Sequence, residues 1–451
     1  MKEHSLTEGS IIKGLVFFAI PLFLSMLFQT MYNTVDTVII GHYLGDSALA
    51  AVGATAAIFE LIVMGFGNGI GTGFGIVIAR CFGSKDEYSL KKSVATSLVW
   101  GVIISLSLTV IFMLLLPTLL AVINTPADII EDALSYIRII ALFSIVTIFY
   151  NLGSAMLRSI GDSVTPFIVL LFSSVINVIL DIVCITSLGL GIQGAAIATV
   201  IAQSLSTVLC LFFVIKKAKV LIPRKEHFVF DGELLKDMLG QGFSMAMMSS
   251  IVSVGSMILQ SGINGFGTSI IAGHVAARKM GSMLMLPVMT FGISVSTFVS
   301  QNKRAKQPDR IQAGVSFTNK FGIVMSMIMT VVVFLFAPTF IQWISGTSTK
   351  EVIEVGAMYM KINVPFYCVL CPLLTYRNAL QGLGKKIIPL ISSIIEFVGK
   401  IVFTFLIIPP LGYLGVCICE PVIWICMTIQ LYFSYKKSIR EFSMELQEQG
   451  I

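Results

Sequence analysis

Long apolar runs, each of about 20 residues or more, alternate along this chain with short polar breaks. The runs fall near residues 11–40, 48–80, 90–116, 128–157, 163–188 and 191–216, and again near 233–262, 268–300, 310–338, 351–381, 386–409 and 412–437. Turn chemistry marks the breaks, as at Gly45-Asp46, Gly83-Ser84-Lys85-Asp86, Asn124-Thr125-Pro126, Gly161-Asp162, Gln307-Pro308-Asp309 and Pro409-Pro410. Backbone polar groups inside lipid must be satisfied within the segment, so each run predicts a helix. The pattern therefore predicts an all-α membrane protein of about twelve transmembrane helices, six in each half. Lys216 to Asp231 is the one polar stretch long enough to join two domains. The expected division is an amino-terminal lobe over 1–216, a cytoplasmic linker over 217–232, and a carboxy-terminal lobe with a cytoplasmic tail over 233–451.

The two halves repeat one another about 222 residues apart. Leu157-Arg158-Ser159-Ile160-Gly161-Asp162 with Pro166 returns as Leu380-Gln381-Gly382-Leu383-Gly384-Lys385 with Pro389. Ala133-Leu134-Ser135-Tyr136-Ile137-Arg138 returns as Gly356-Ala357-Met358-Tyr359-Met360-Lys361, and Gly191-Ile192-Gln193-Gly194 as Gly412-Tyr413-Leu414-Gly415. Three matches at one spacing indicate a duplicated bundle, hence two pseudo-symmetric six-helix lobes. Such a pair is expected to enclose a cavity that opens to alternate sides as one lobe rocks against the other, which makes transport the leading functional reading.

Charge placement sets the expected orientation. Lys85, Lys91 and Lys92; Lys216, Lys217, Lys219, Arg224 and Lys225; Lys303, Arg304, Lys306 and Arg310; Arg377, Lys385 and Lys386; and Lys436, Lys437 and Arg440 are assigned to alternate breaks, while Asp128, Glu131, Asp132, Glu351 and Glu354 gather in the others, where Lys350 is the exception among basic residues. The positive-inside rule then puts both termini and the linker in the cytoplasm of a multi-pass cell inner membrane protein. Lys2 and Lys13 precede the first run without a small-residue cleavage site, so the first helix is expected to act as its own uncleaved targeting signal. Of the residues, 56% are hydrophobic and only 12% charged, with a mean hydropathy of +0.93, which places most of the surface against a lipid bilayer. The net charge of +6 is spread over short breaks and forms no nucleic-acid footprint. Eight cysteines, including Cys368, Cys371, Cys417 and Cys419, lie in apolar runs without a histidine cluster and read as small buried hydrophobes.

Gly65, Gly69 and Gly73 form one stripe on the second helix and Gly67, Gly71 and Gly75 another, both at the spacing of close helix contacts. A phosphate loop is set aside because no strand precedes the run and no Gly-Lys-Ser/Thr follows it. Pro21, Pro287, Pro365 and Pro372 are expected to kink their helices.

Polar side chains at bilayer depth need a partner or a role. Asp36 lies well inside the first helix, and Asn177 and Asp181 share a face of the fifth, being four residues apart. Thr199 on the sixth helix can bring a hydroxyl against them, and Asn151 on the fourth adds an amide. Two carboxylates with neutral oxygens suit a small hard cation such as Na+, or a shared proton. Two such charges about 5 Å apart at an effective dielectric of about 20 repel by roughly 3 kcal/mol, which a bound cation relieves. In the second half Lys400 aligns with Asn177 and Thr404 with Asp181, and Glu396, four residues before Lys400, reads as its ion-pair partner. Glu60, Arg138, Arg278, Lys279, Lys361 and Glu420 belong to helix ends or to a central cavity. Gln29 and Asn33 on the first helix, with Met257 and Gln260 on the seventh, are candidates for lining a substrate cavity. Methionines such as Met245, Met248, Met283 and Met289 give that half soft, adaptable surfaces.

These residues resemble the multidrug and toxic compound extrusion (MATE) family. The resemblance rests on Tyr32-Asn33-Thr34-Val35-Asp36, Ala79-Arg80-Cys81-Phe82-Gly83-Ser84, Arg158-Ser159-Ile160-Gly161-Asp162 and Asn177-Val178-Ile179-Leu180-Asp181, and runs from Leu6-Thr7-Glu8-Gly9 to the last helix. It implies a twelve-helix antiporter, not an enzyme, that exports small-molecule drugs, cationic or amphipathic, in exchange for H+ or Na+, with no other cofactor. The DinF-like branch carries its cation site in the amino-terminal lobe, and Asp36, Asn177, Asp181 and Thr199 match it, with Asn151 a further member. The acidic ligands of the NorM-like branch are missing here, since 240–262 and 355–376 contain no Asp or Glu. A monomer is expected. A lipid-linked saccharide flippase of the same superfamily is the alternative. An intramembrane enzyme would need a nucleophile with its base, or a paired-histidine metal motif, and the four isolated histidines provide neither.

Overall fold

The computed structural model describes residues 6–122 and 125–448; Lys2 and Asn124, named above, lie outside them. Among the described residues, eleven helices are long and apolar enough to cross a membrane, and one bent pair makes a twelfth. They are α1 (Ile11–Gly45), α2 (Ile58–Gly83), α3 (Glu87–Ala121), α4 (Ile130–Leu142 with Ser144–Ser159), α5 (Val164–Ser187), α6 (Gly191–Lys217), α7 (Gly232–Phe266), α8 (Thr268–Arg304), α9 (Pro308–Ser345), α10 (Lys350–Gly382), α11 (Ile387–Leu411) and α12 (Tyr413–Glu448). The all-α, twelve-span expectation is met, with three refinements. The chain breaks at Gly45 (φ 81°) and resumes as a short helix, Ser47–Ala56, before α2. The two limbs of α4 meet at 48° around Phe143, where neither proline nor glycine stands. Of the four prolines expected to kink, Pro365 lies in a tight turn, Val364–Phe366, that interrupts α10, while Pro21, Pro287 and Pro372 stay inside helices.

The chain forms two compact units, one of residues 20–246 and one of 6–19 with 247–448, so the division falls inside α1 and inside α7. In the first unit, α2 is the helix most enclosed by protein, and its glycines explain why. A Cβ on Gly69 would stand 2.8 Å from the backbone nitrogen of Ala246, and one on Gly73 would collide with the backbone of Gly242. The other stripe faces α4: a Cβ would lie 3.1 Å from Thr147 on Gly67, 3.0 Å from Asn151 on Gly71 and 2.9 Å from Ala155 on Gly75. Lipid is as apolar as leucine, so such backbone proximity and the dispersion contacts it permits hold the helices together. Arg80 at the end of α2 completes the junction with a 2.6 Å ion pair to Asp237 on α7. Outward faces are correspondingly apolar, as on α3, where Val102, Leu106, Val110 and Leu114 are exposed.

The repeat read from sequence reappears as geometry. Gly161 and Gly384 both adopt positive φ, 90° and 80°. After each helix the next amide closes back on the helix, Asp162 N–H to Leu157 O at 3.0 Å and Lys385 N–H to Leu380 O at 2.9 Å. A left-handed residue followed by this long closure ends a helix at little cost only when it is glycine. In the first copy Asp162 then caps α5 by accepting from the Thr165 N–H at 2.9 Å. Both α5 and α11 loosen into π-helical turns, Val183–Ser187 and Phe403–Ile407, just past Asp181 and at Thr404. Such turns concentrate where a helix serves a site.

In the second unit α8 packs against α9 and α10. The segment before α1 belongs here: Leu6 donates its N–H to Gln301 Oε1 at 2.9 Å, and the Arg310 guanidinium donates to the carbonyls of Leu6, Glu8 and Gly9.

Candidate cation site

A core of Ile39, Ile40, Ile58, Ile62, Ile137, Ile140, Ile185 and Ala196 fills one end of the first unit. Into it opens a cavity of about 210 Å³, lined by α1, the short helix Ser47–Ala56, the start of α2, α4, α5 and α6. Asp36 reaches the cavity from α1, nine residues before the Gly45 break, or about 14 Å along the helix axis. Asp181 reaches it from α5 and Thr199 from α6. The helices therefore deliver acidic groups well inside a span rather than at its edge.

Asn177, fully buried one turn before Asp181, joins the two acids. Its carboxamide nitrogen donates to Asp36 Oδ1 at 2.9 Å and to Asp181 Oδ2 at 3.0 Å, and its oxygen accepts from the backbone N–H of Thr199 at 3.3 Å. This is the orientation in which every group meets its complement. Asp181 Oδ1 is buried and has no hydrogen-bond partner. The Asp181 carboxyl also stands within hydrogen-bond reach of that of Asp36, an approach of two acids that a shared proton or a cation makes favourable.

Four of the residues expected at a cation site, Asp36, Asn177, Asp181 and Thr199, come together. Thr199 lines the cavity and borders Tyr32. Its hydroxyl donates to its own helix at Ala195 O, 3.0 Å away, and its backbone N–H is what meets Asn177. Hydroxyls in helices commonly fall back on the carbonyl four residues earlier. Asn151 stands apart from the other four. Its amide donates to Thr147 O at 2.9 Å, and it lies against Gly67 and Gly71 of α2, outside the cavity lining.

Sequence reasoning left out Tyr32, Thr55, Phe59 and Tyr136, which also line the cavity. Tyr32 stands one turn before Asp36 on the same face and borders both Asp36 and Thr199. The clue for Tyr136 lay in the repeat, where its counterpart is Tyr359. Of the substrate candidates, Asn33 is exposed and lines this same cavity, and Gln29 is half-buried one turn earlier on α1. Met257 and Gln260 lie on α7 in the second unit, Met257 exposed and Gln260 donating to Asn264 Oδ1 at 2.9 Å.

The second unit fills the equivalent depth differently. Lys400, only 2% exposed, donates to Glu396 Oε1 at 2.8 Å and to Ser256 Oγ at 2.9 Å. The pair read from the sequence is thus present. Arg377 approaches the other oxygen of Glu396 at 3.9 Å while bonding Ser392 and Ser393. Nearby, Glu420 accepts from the Tyr359 hydroxyl at 3.1 Å and faces Arg278 at 3.9 Å. Among the described residues, Glu396 and Glu420 in this half each face a basic group.

Comparison with known proteins follows the same duplication. The MatE family model matches residues 21–183 and again 244–406. The chain is 26% identical over 441 residues to the "Probable multidrug resistance protein YoeA" of Bacillus subtilis (strain 168), covering 95% of this chain and 94% of that protein. It is 25% identical over 450 residues to the "FAD transporter" of Shewanella oneidensis, covering 96% of each. Among solved structures, "Crystal structure of MATE in the bent conformation" superposes with a TM-score of 0.92 at 21% identity over 99% of both chains. A duplicated six-helix membrane fold and a family match in both copies lead to one conclusion: this chain belongs to the MatE family, the MATE transporters, and is a membrane transporter rather than an enzyme.

Proposed function

We propose that this transporter exports small organic drugs, cationic or amphipathic, in exchange for a cation that enters through the Asp36–Asn177–Asp181 cluster. The observation that carries the reading is the buried, unpartnered Oδ1 of Asp181 beside a second carboxylate in a membrane helix. The proton fits this donor set best. The Asp36 and Asp181 carboxyl groups stand within hydrogen-bond reach of each other as well as of the Asn177 nitrogen, so a proton can be shared between them with the amide left in place. A Na+ ion would need the amide rotated so that its oxygen points inward, at the cost of the contact with the Thr199 N–H.

With the site empty, two negative charges from α1 and α5 are held by one neutral amide, and the drug-bound form is favoured. Loading the site relieves the repulsion, tightens α1, α5 and α6 around it and lowers affinity for the drug, which is released outward by alternating access. Both termini and residues 217–232 lie in the cytoplasm, the six-helix repeats over 1–216 and 233–451 act as the lobes even though the compact units divide inside α1 and α7, and the working unit is a monomer. The multidrug resistance names among similar proteins support the substrate class. The saccharide flippase reading is set aside, because the family match covers both halves.

The test is transport in proteoliposomes containing a fluorescent organic cation, with a proton gradient and a sodium gradient imposed separately. Dye movement driven by the proton gradient alone supports the reading. Movement with neither gradient, or none with both, overturns it.

A further inference from the structure

The stretch between α6 and α7 is anchored rather than slack. Leu221 is fully buried in the core of the first unit, and His227 is buried with its ring 5.1 Å from that of Tyr88 and its Nδ1 accepting from the Arg224 N–H. Asp231 pairs with Lys92 of α3 at 2.9 Å and caps α7 by accepting from the Leu234 N–H at 3.0 Å. Between these anchors, Phe228, Val229 and Phe230 are held outward with 52%, 52% and 78% exposure. They roof a groove of about 190 Å³ whose floor is Ala95, Thr96, Val99 and Trp100 of α3.

The groove runs without a break into a face that meets lipid, since Val99, Val102, Ile103 and Leu106 continue it along α3 as exposed apolar side chains. Next along the chain from His227, which lines the groove, Arg224 and Lys225 are exposed, with Lys216, Lys217 and Lys219 exposed before them; the acids against this run are Glu226 and Glu87, the latter near Arg224, while Asp231 in the groove wall is paired with Lys92. Apolar walls opening toward the bilayer core, aromatic side chains at the edge and a surplus of cations above them describe the profile of one lipid molecule.

We propose that this groove seats an anionic phospholipid, its phosphate held by Arg224 and Lys225 and one acyl chain laid along Val99 to Leu106 beneath Phe228 and Phe230. The proposal rests on the reading that residues 217–232 face the cytoplasmic, anionic leaflet. A soluble phosphate would leave the apolar floor uncovered, and a zwitterionic lipid would leave the cations unmatched.

Native mass spectrometry of the full chain, released from symmetric discs of mixed phosphatidylglycerol and phosphatidylcholine, reads the site without reference to orientation. The expected result is retention of phosphatidylglycerol over phosphatidylcholine on the order of ten-fold. Arg224→Gln with Lys225→Gln should abolish that preference, Arg224→Lys should keep it, and Phe228→Ser with Phe230→Ser should reduce retention of both lipids. Circular dichroism and dye transport of each variant confirm that the fold is intact. Equal retention of the two lipids by the wild type, or a preference untouched by both double variants, overturns the proposal. So does a dimer that the phenylalanine variants dissolve, which would show a second copy covering this face. Labelling of Lys225→Cys in intact cells by an impermeant maleimide tests orientation alone: protection supports the cytoplasmic placement, and labelling removes the leaflet argument whatever the discs show.

Discussion

Asp36 and Asp181, on different helices, share a single amide nitrogen, that of Asn177, at 2.9 and 3.0 Å. One neutral donor holding two acids gives the cluster its capacity to change state, because each acid can gain a proton without losing its place. Asp36→Asn and Asp181→Asn keep the shape of the side chain and remove the exchangeable proton. Each should reduce gradient-driven dye efflux to background in protein that inserts normally, as checked by proteoliposome transport beside a membrane insertion assay. Full activity in either variant rejects the assignment.

Asn177→Ala removes the shared donor and leaves both carboxylates present. Efflux should persist weakly and shift its pH dependence, since each acid loses the hydrogen bond that favoured its charged form. A pH profile of dye transport unchanged from the wild type would show that the amide does not govern the acids.

Close backbone approach between α2 and α7 makes Gly73 intolerant of any side chain. Gly73→Ala should cost about 1–3 kcal/mol through forced separation of the two backbones. Gly53→Ala is the control, because nothing lies within 4 Å of a Cβ there and the helix propensity gain is about 0.5–1 kcal/mol. Thermal unfolding of both variants in the same detergent tests the difference in sign.

Removing one member of a buried ion pair strands the other. Glu396→Ala should destabilise the second unit by about 3–5 kcal/mol, whereas Glu396→Met with Lys400→Met should remain within about 1–2 kcal/mol of the wild type. Unfolding midpoints of the single and double variants provide the comparison. A double variant as unstable as the single one would mean that Arg377, also near Glu396, depends on that acid more than Lys400 does.

Arg80 and Asp237 meet at 2.6 Å with side chains 10% and 31% exposed, between lipid and water. A double-mutant cycle with Arg80→Ala and Asp237→Ala should return a coupling of about 0.5–3 kcal/mol. Additive losses would indicate that the pair only marks the end of α2.

Apolar runs gave the number and order of the spans because lipid imposes one rule on every turn of helix, but not every end: α2 begins at Ile58 rather than near 48, and α12 runs on to Glu448 as a polar helix. The two acids and Asn177 stood out for the same reason: a charge inside such a run is conspicuous. What the chain text did not reveal depends on rotation and on unlike partners. Asn151 is an amide in a membrane helix like Asn177, but it bonds the Thr147 carbonyl one turn back and faces glycines, and only the packing of α4 on α2 decides this. The hydroxyl of Thr199 was the natural candidate, yet the backbone beside it makes the contact. The 48° bend at Phe143 has no proline or glycine to announce it, although the Thr109 and Ser144 hydroxyls meet there at 2.8 Å. Tyr136 was visible as a repeated position, without any sign that it faced the acids.

The ammonium of Lys400 sits where the duplicated partner of Asn177 belongs, and it is bonded to the chain that surrounds it. A tethered side chain cannot diffuse away, so that position is not emptied and refilled from solution as a site for a free ion is. Of the two copies, one carries a built-in counter-ion at this depth and the other carries a pair of acids. Under the proposed exchange, the charge moved per drug molecule would be counted from Asp36 and Asp181.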